Sequence, residues 1–360
     1  MKIALSGYYG FDNAGDEALL LAISSSIKSL VPDGEFVVFS GNPIKTRQLH
    51  NIGAVYNMNP WSVARELLSC DLLISGGGSI FQDVTSSRSL LYYISVVVLA
   101  RLLGKPVVFY AQGVGPIRKP FNRWLLGRVA NHVNLITLRD QASREFLRKL
   151  GVSKPPLQVT ADPVFALQTN EDIKADIKHR YPLLSSPATK RLGVSVRHWP
   201  ALQGYQQKLA VALDHFKRAG YEIIFVPMDY PEDIKESERV SACMQEEAWI
   251  ITDELTTAQH LAVIAQLDLM VAMRLHALIF AASCGVPFAG ISYDPKIDAF
   301  LDLFDKRPLS PSSELMIAQI EELLYDQNAQ DQVRHRADKM RAQSLENARM
   351  TLQVLKNSRR

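Results

Sequence analysis

The sequence predicts an α/β protein built from two Rossmann-like, doubly wound parallel-sheet domains facing a cleft. Three observations predict this. Continuously apolar runs rich in Val, Ile and Leu alternate with amphipathic helical stretches along the chain, which implies parallel strands covered on both faces. The alternation pauses once near the middle and then resumes. The length of 360 residues suits two domains at roughly 100–200 residues each.

In the first half, residues 2–6 (KIALS), 36–40 (FVVFS), 72–75 (LLIS), 107–111 (VVFYA) and 135–138 (LITL) read as strands. Helices are expected over 14–30, 61–68, 89–103, 121–131 and 141–150. Residues 168–190 are polar, contain Pro182 and Pro187 and show no clean strand, so the domain boundary is placed there. Strands then resume at 191–196, 223–226, 269–272 and 287–291, with helices between them and a helical region over 312–356. The resulting division is 1–168, 169–311 and a terminal helical region 312–360.

Bulk properties narrow the class. A formal net charge of +3 is mildly basic. It suits an enzyme of anionic substrates, whereas a nucleic-acid binder would carry a concentrated basic stripe. Cys70, Cys243 and Cys284 are scattered and form no CxxC pair, so neither a disulfide framework nor a zinc site is signalled and a reducing cytoplasm is expected. The first ten residues read as a strand and not as a leader. The longest apolar run, 90–100, is closed by Arg101 and is far short of the roughly 20 residues a bilayer requires.

In open parallel sheets, ligands bind beyond the C-terminal ends of the strands. The loop after the first strand holds Gly7, Tyr8, Tyr9, Gly10, Asn13, Gly15, Asp16 and Glu17, which is neither a dinucleotide fingerprint nor a P-loop. Asp16 reads equally as a helix cap or a catalytic carboxylate. Gly76-Gly77-Gly78 costs backbone entropy and implies a steric need, either crowding by substrate or a tight interdomain turn. Gln112-Gly113-Val114-Gly115-Pro116 is a second glycine-rich exit. Arg139-Asp140 reads as an ion pair with a helix cap or as a ligand contact.

The second half is more informative. Its strands run into Arg197-His198, Arg274-Leu275-His276 and Ser292-Tyr293-Asp294-Pro295-Lys296. An apolar strand leading directly into Arg and His is costly unless those groups are paired or bind a ligand. Five cationic or protonatable side chains on three strand ends, with Asp294 the one acidic residue evident nearby, read as an anion site.

Taken in order, the Gly7–Glu17 loop, the Gly76–Gly78 turn, Gln112–Pro116, Arg139-Asp140, Asp162-Pro163 and Arg274-Leu275-His276 resemble the polysaccharide pyruvyltransferases, in particular the bacterial cell-wall-anchoring branch that acts on secondary cell wall polymers. The likeness covers most of residues 1–300. Asp12 stands where that pattern has Gly. The resemblance implies a fold like the two-lobed GT-B glycosyltransferases and transfer of a pyruvyl group from phosphoenolpyruvate to a sugar as a cyclic ketal. In that branch the acceptor is similar to N-acetylmannosamine within a lipid-linked repeat. The tripeptide Arg274, Leu275 and His276 is carried over as part of the phosphoenolpyruvate site.

The expected donor site is therefore Arg197, Arg274, Leu275, His276 and Lys296, with Arg274 and Arg197 as bidentate anion ligands and Lys296 as a point charge. His276 is the expected acid and Asp16 the candidate base. Tyr9, Asn13, Asp16, Gly77, Gly78, Gln112 and Arg139 are the expected acceptor contacts. No metal, cofactor or nucleic acid is called for, and oligomeric state is left open. A lipid-linked acceptor adds the inner face of the membrane as a partner. Residues 116–128 hold Arg118, Lys119, Arg123 and Arg128 beside Phe121, Trp124, Leu125 and Leu126, which suits interfacial docking or an ordinary covering helix. The basic segment 334–360 allows the same two readings. The rivals are a nucleotide-sugar glycosyltransferase, which would place carboxylates at the second-domain tips to grip a ribose, and a two-lobed anion or sugar binding protein.

Overall fold

The computed structural model describes residues 1–84, 86–186 and 188–358. Pro187 of the expected boundary segment, and Arg359 and Arg360 of the basic tail, lie outside the described residues. The chain forms two compact units: Met1–Ala166 together with the chain from Met340 on, and Leu167–Lys339.

The first unit is a seven-stranded sheet in the order β3-β2-β1-β4-β5-β6-β7, formed by β1 (Lys2–Tyr9), β2 (Glu35–Ser40), β3 (Gly53–Tyr56), β4 (Leu72–Gly76), β5 (Val107–Gln112), β6 (Leu135–Leu138) and β7 (Leu157–Val159). Every pairing is parallel. The central strands β1, β4 and β5 are buried over almost their whole length, which is why they read as unbroken apolar runs. Helices α1 (Ala14–Leu30), α2 (Pro43–His50), α3 (Pro60–Ser69), α4 (Ser87–Leu102), α5 (Pro120–Ala130) and α6 (Gln141–Lys149) connect the strands. The 90–100 run is the buried stripe of α4, through Leu90, Tyr93, Ile94, Val96, Val97 and Ala100.

The second unit holds five parallel strands in the order β10-β9-β8-β11-β12: β8 (Lys190–Ser195), β9 (Tyr221–Phe225), β10 (Trp249–Ile250), β11 (Leu269–Ala272) and β12 (Phe288–Gly290). Its helices are α7 (Glu171–Arg180), α8 (Tyr205–Arg218), α9 (Glu232–Ser241), α10 (Thr257–Ile264), α11 (Leu275–Ser283), α12 (Pro295–Asp302) and α13 (Ser313–Tyr325). The 168–190 segment, read as strandless linker, contains α7, whose Ile177 is fully buried and which packs against α10.

The last helix, α14 (Ala329–Ser358), belongs to both units. Beyond Met340 it adds Ala348, Leu352 and Leu355 to the core around β1 and α1. Buried Asn347 there donates to Ala161 O and accepts from the Thr160 hydroxyl at 2.8 Å. The terminal region set apart at 312 is thus divided at Met340. Among the described residues, no helix is long and apolar enough to cross a membrane.

Candidate active site at the strand tips

Sheet register brings the tips of β8, β11 and β12 together. Ala272 pairs with Ser195 on one side and Gly290 on the other. Arg197, Arg274 and Tyr293 therefore leave the sheet from neighbouring positions. Tyr293 joins them. Its hydroxyl accepts from Arg197 Nη1 at 3.0 Å, and its ring lies 5.2 Å from the Arg197 guanidinium and 5.6 Å from Lys296 Nζ. Trp199 adds a second ring, 4.9 Å from the Tyr293 ring and 5.3 Å from the Arg197 guanidinium. Aromatic faces attract cations, most strongly where water is partly excluded. Neither Tyr293 nor Trp199 was singled out from sequence; the dipeptide position of Tyr293 beside Asp294 was the available signal.

The expectation that Asp294 is the one nearby carboxylate is overturned. Arg274 donates through Nε to Asp233 Oδ2 at 2.8 Å and through Nη2 to both Asp233 Oδ1 at 2.5 Å and Asp229 Oδ2 at 2.8 Å. Asp233 lies in the first turn of α9 and is fully buried, and its carboxylate also accepts from Met228 N. Burial works to lower the Arg274 pKa, and Asp233 and Asp229 outweigh it, so the guanidinium is held charged. The bidentate edge of Arg274 is consequently spent on the protein, which contradicts its assignment as a bidentate anion ligand. Nη1 makes no hydrogen bond among the described residues and is the edge left for a ligand.

Arg197 shows the opposite pattern. It forms no ion pair among the described residues, and its buried Nε has no hydrogen-bond partner. Its Nε–Nη2 edge makes no hydrogen bond among the described residues, and such an edge has the fork geometry of a carboxylate or phosphate partner. Leaving a buried donor unpaired costs roughly 1–3 kcal/mol, which an anion would recover. The hydroxyl of Ser195, fully buried at the end of β8, is likewise unpartnered among the described residues.

The remaining predicted residues divide. Leu275 and His276 form the first turn of α11, with Arg274 as its N-cap, so the positive end of the helix lies at the same tips. Lys296 lies in the first turn of α12 with Asp294 as its cap; its Nζ is 3.8 Å from Asp294 Oδ2. His198 is exposed and 3.4 Å from Glu236 Oε2. Glu236 itself is buried and held by Tyr205, Gln206 and Arg239.

In the first unit, Asn13 caps α1 through bonds from Gly15 N and Asp16 N. Glu17 is committed to structure, accepting from Gly10 N and pairing with His50. Asp16 is half-buried, and its Oδ1 lies beside Gly78: a Cβ there would stand 3.2 Å from it. Gly77 and Gly78 have φ of 78° and 75°, so these positions need glycine for backbone reasons as well as for space. Asp12 also sits at positive φ, 60°, which accounts for a glycine in the resembling pattern; here a 2.7 Å bridge to Lys45 holds it.

Three expected acceptor contacts are drawn into the interior instead. Tyr9 is buried and donates to Gly76 O at 2.5 Å, with burial and the nearby Asp16 carboxylate pushing its phenol far above the usual range. Arg139 is buried, paired with Asp162 at 2.9 Å and bonded to Ser79 Oγ, while Asp140 caps α6. A side chain on Gly113 would collide with that arginine. Gln112 is fully buried, its amide donating to Ser75 O, though its Oε1 is unpartnered among the described residues. The exposed surface of the first loop is instead an aromatic pair missed from sequence: Tyr8 and Phe11 stack at 4.4 Å with 15° between their planes. Among the described residues no three His, Cys, Asp or Glu side chains form a group able to hold a metal ion.

Three comparisons bear on this arrangement. A chain 23% identical over 252 residues is the Amylovoran biosynthesis protein AmsJ of Erwinia amylovora; the match takes in 64% of this chain and spans about 59% of that relative's length. The solved structure of a putative UDP-N-acetylglucosamine 2-epimerase from Listeria monocytogenes superposes with a TM-score of 0.69 at 12% identity, covering 96% of this chain and 94% of that one. The UDP-GlcNAc 2-epimerase of Neisseria meningitidis, solved with UDP-GlcNAc bound, gives 0.68 at 10% identity over 99% and 100% of the two chains. These structures share the fold, with its two GT-B-like parallel-sheet units. The family model for polysaccharide pyruvyl transferases matches residues 13–295, a span that takes in the Asp16 loop, the glycine turn and all three strand tips, and the chain belongs to that family.

Proposed function

We propose that this transferase moves the pyruvyl group of phosphoenolpyruvate onto two hydroxyls of a sugar in a lipid-linked polysaccharide repeat, forming a cyclic ketal and releasing phosphate. The acceptor proposed is N-acetylmannosamine in a cell-wall polymer of the kind that anchors surface layers, and the reaction takes place at the cytoplasmic side of the membrane. The observation that carries the donor assignment is the unpaired Nε–Nη2 edge of Arg197 at the joined tips of β8, β11 and β12.

In this reading Arg197 takes the carboxylate or phosphate in a fork, Arg274 contributes its Nη1 edge, and Lys296 adds a point charge. Asp233 and Asp229 orient Arg274 and hold its charge. His276, at the start of α11, donates a proton to the methylene carbon, leaving an oxocarbenium-like centre at C2. A sugar hydroxyl attacks C2 and gives its proton to a base, for which Asp16 of the first unit is the candidate. The second hydroxyl then displaces phosphate from C2 and its proton leaves with the phosphate, closing the ring. General acid–base help of this kind contributes about 10²–10⁴-fold. Helix N-termini and guanidinium groups supply the positive field, and the scheme calls for neither metal nor cofactor. The exposed Tyr8–Phe11 pair offers an apolar face suited to a sugar ring.

A second reading is favoured by the carboxylates found at the strand tips and by the UDP-GlcNAc bound in the Neisseria meningitidis enzyme: use of a nucleotide sugar. Asp233 is consumed by Arg274, however, and Glu236 by Tyr205, Gln206 and Arg239, which leaves them poorly placed to grip a ribose. Incubation with phosphoenolpyruvate and an N-acetylmannosamine-containing acceptor is the test. Acceptor-dependent phosphate release with ketal formation is expected. Release of UDP from UDP-sugars, with no phosphate from phosphoenolpyruvate, would replace the proposal with the second reading.

A further inference from the structure

We infer that α5 and the turn leading into it form a docking surface for an anionic lipid bilayer. The first observation is a segregation of charge. From Val84 to Arg139 the sequence contains eight Arg or Lys and no Asp or Glu, in a chain whose totals are 40 and 37. The second is what the fold does with the nearest carboxylate. Asp83 is buried and accepts from Arg118 N at 2.6 Å, Lys119 N at 3.1 Å and Asn122 Nδ2 at 2.8 Å. Those bonds hold its pKa below the usual range despite burial and cap the start of α5 from within. The acidic group thus points inward, and the cations it organises point outward.

The third observation is apolar. α5 buries Asn122, Leu126, Gly127 and Ala130 and turns Phe121 and Trp124 outward, each 59% exposed, with ring centroids 5.9 Å apart. Arg118, Lys119, Arg123 and Arg128 are exposed around them, and Arg123 Nε fastens the turn by donating to Ile117 O. The neighbouring helix α4 presents Arg88 and Arg101 to solvent and no acid. Covering a sheet explains the buried face of α5 and leaves the two outer aromatics unexplained.

Charge complementarity selects the occupant. A polyanion would use the arginines and leave two aromatic rings in water, whereas an anionic bilayer satisfies both: rings settle at the headgroup level and cations meet the headgroups. The surface is independent of the donor chemistry, so it stands or falls apart from the proposed reaction.

The test is flotation of the full chain with vesicles of equal parts phosphatidylglycerol and phosphatidylcholine, against vesicles of phosphatidylcholine alone. Binding to the anionic vesicles only is expected. Replacing both Arg118→Gln and Lys119→Gln should weaken it about thirtyfold, equivalent to about 2 kcal/mol at about 1.4 kcal/mol per tenfold. Phe121→Ser with Trp124→Ser should weaken it at least about tenfold. Circular dichroism and phosphate release with a water-soluble acceptor should stay as in the parent, because neither pair belongs to the proposed donor or acceptor residues. Equal binding to neutral vesicles, or full binding by either double variant, would overturn the proposal. Loss in the charge variant alone would mean a polyanion site and reject the bilayer.

Discussion

Replacing Arg274 separates its work for the fold from its work for the ligand. In Arg274→Gln, three charge-assisted bonds to Asp233 and Asp229 disappear and the fully buried Asp233 loses its counter-charge. Breaking a buried pair by removing one partner costs about 3–5 kcal/mol. In a unit the size of Leu167–Lys339, each kcal/mol lowers the melting temperature by about 2–4 °C. The expected fall is about 6–20 °C, read by calorimetry on the ligand-free protein. Adding Asp233→Asn should restore part of it, since the stranded charge is then removed. Phosphate release should not return in the double variant, because the oriented Nη1 edge is still missing. A melting temperature within about a degree of the parent would refute the argument: it would mean the Asp233 fork carries no stability and that Arg274 is held for the ligand alone.

Three further outcomes follow from the same geometry. Arg197→Lys keeps a charge but loses the unpaired fork, and should raise the apparent KM for phosphoenolpyruvate by about 10–100-fold with little change in melting temperature; an unchanged KM would remove Arg197 from the donor site. His276→Ala should lower kcat by at least about tenfold while leaving the circular dichroism spectrum intact, and normal turnover would exclude it as the acid. His260 is fully buried and burial lowers its pKa, so the folded state prefers the neutral ring. Its stability contribution is complete above the ordinary imidazole value of about 6.5 and is lost as pH falls below it. The melting temperature of the parent should therefore drop between about pH 6.5 and 5 more steeply than that of His260→Gln, and parallel curves would count against the assignment.

Much of the fold was legible because the central strands are buried on both faces. Runs such as KIALS and LLIS sit within β1 and β4, and MVA falls in β11. The elements that sequence reading passed over are short or peripheral. β3, β7 and β10 have four, three and two residues, all are partly exposed, and each is an edge strand of its sheet. α7 carries nine polar or partly exposed residues around one buried Ile177, so its periodicity was faint. At the site, basic residues following apolar strands were visible as a pattern. Their partners were not: Asp233 and Asp229 stand 41 and 45 positions before Arg274, and only the sheet order brings them to it. Tyr9 was misleading for a related reason. It follows the exposed Tyr8 at the end of β1, where strand alternation turns it inward to Gly76 while Tyr8 faces solvent.

The final helix has a practical corollary. The polypeptide crosses between the two units twice, near Ala166 and again within α14 near Met340, so neither unit is a continuous stretch of sequence. A fragment ending at Ala166 would expose the apolar seat of Ala348, Leu352 and Leu355 and strip Thr160 of its amide partner. Dissection of this chain into its single units therefore requires splicing the last helical turns back onto the amino-terminal portion, or supplying them as a separate peptide.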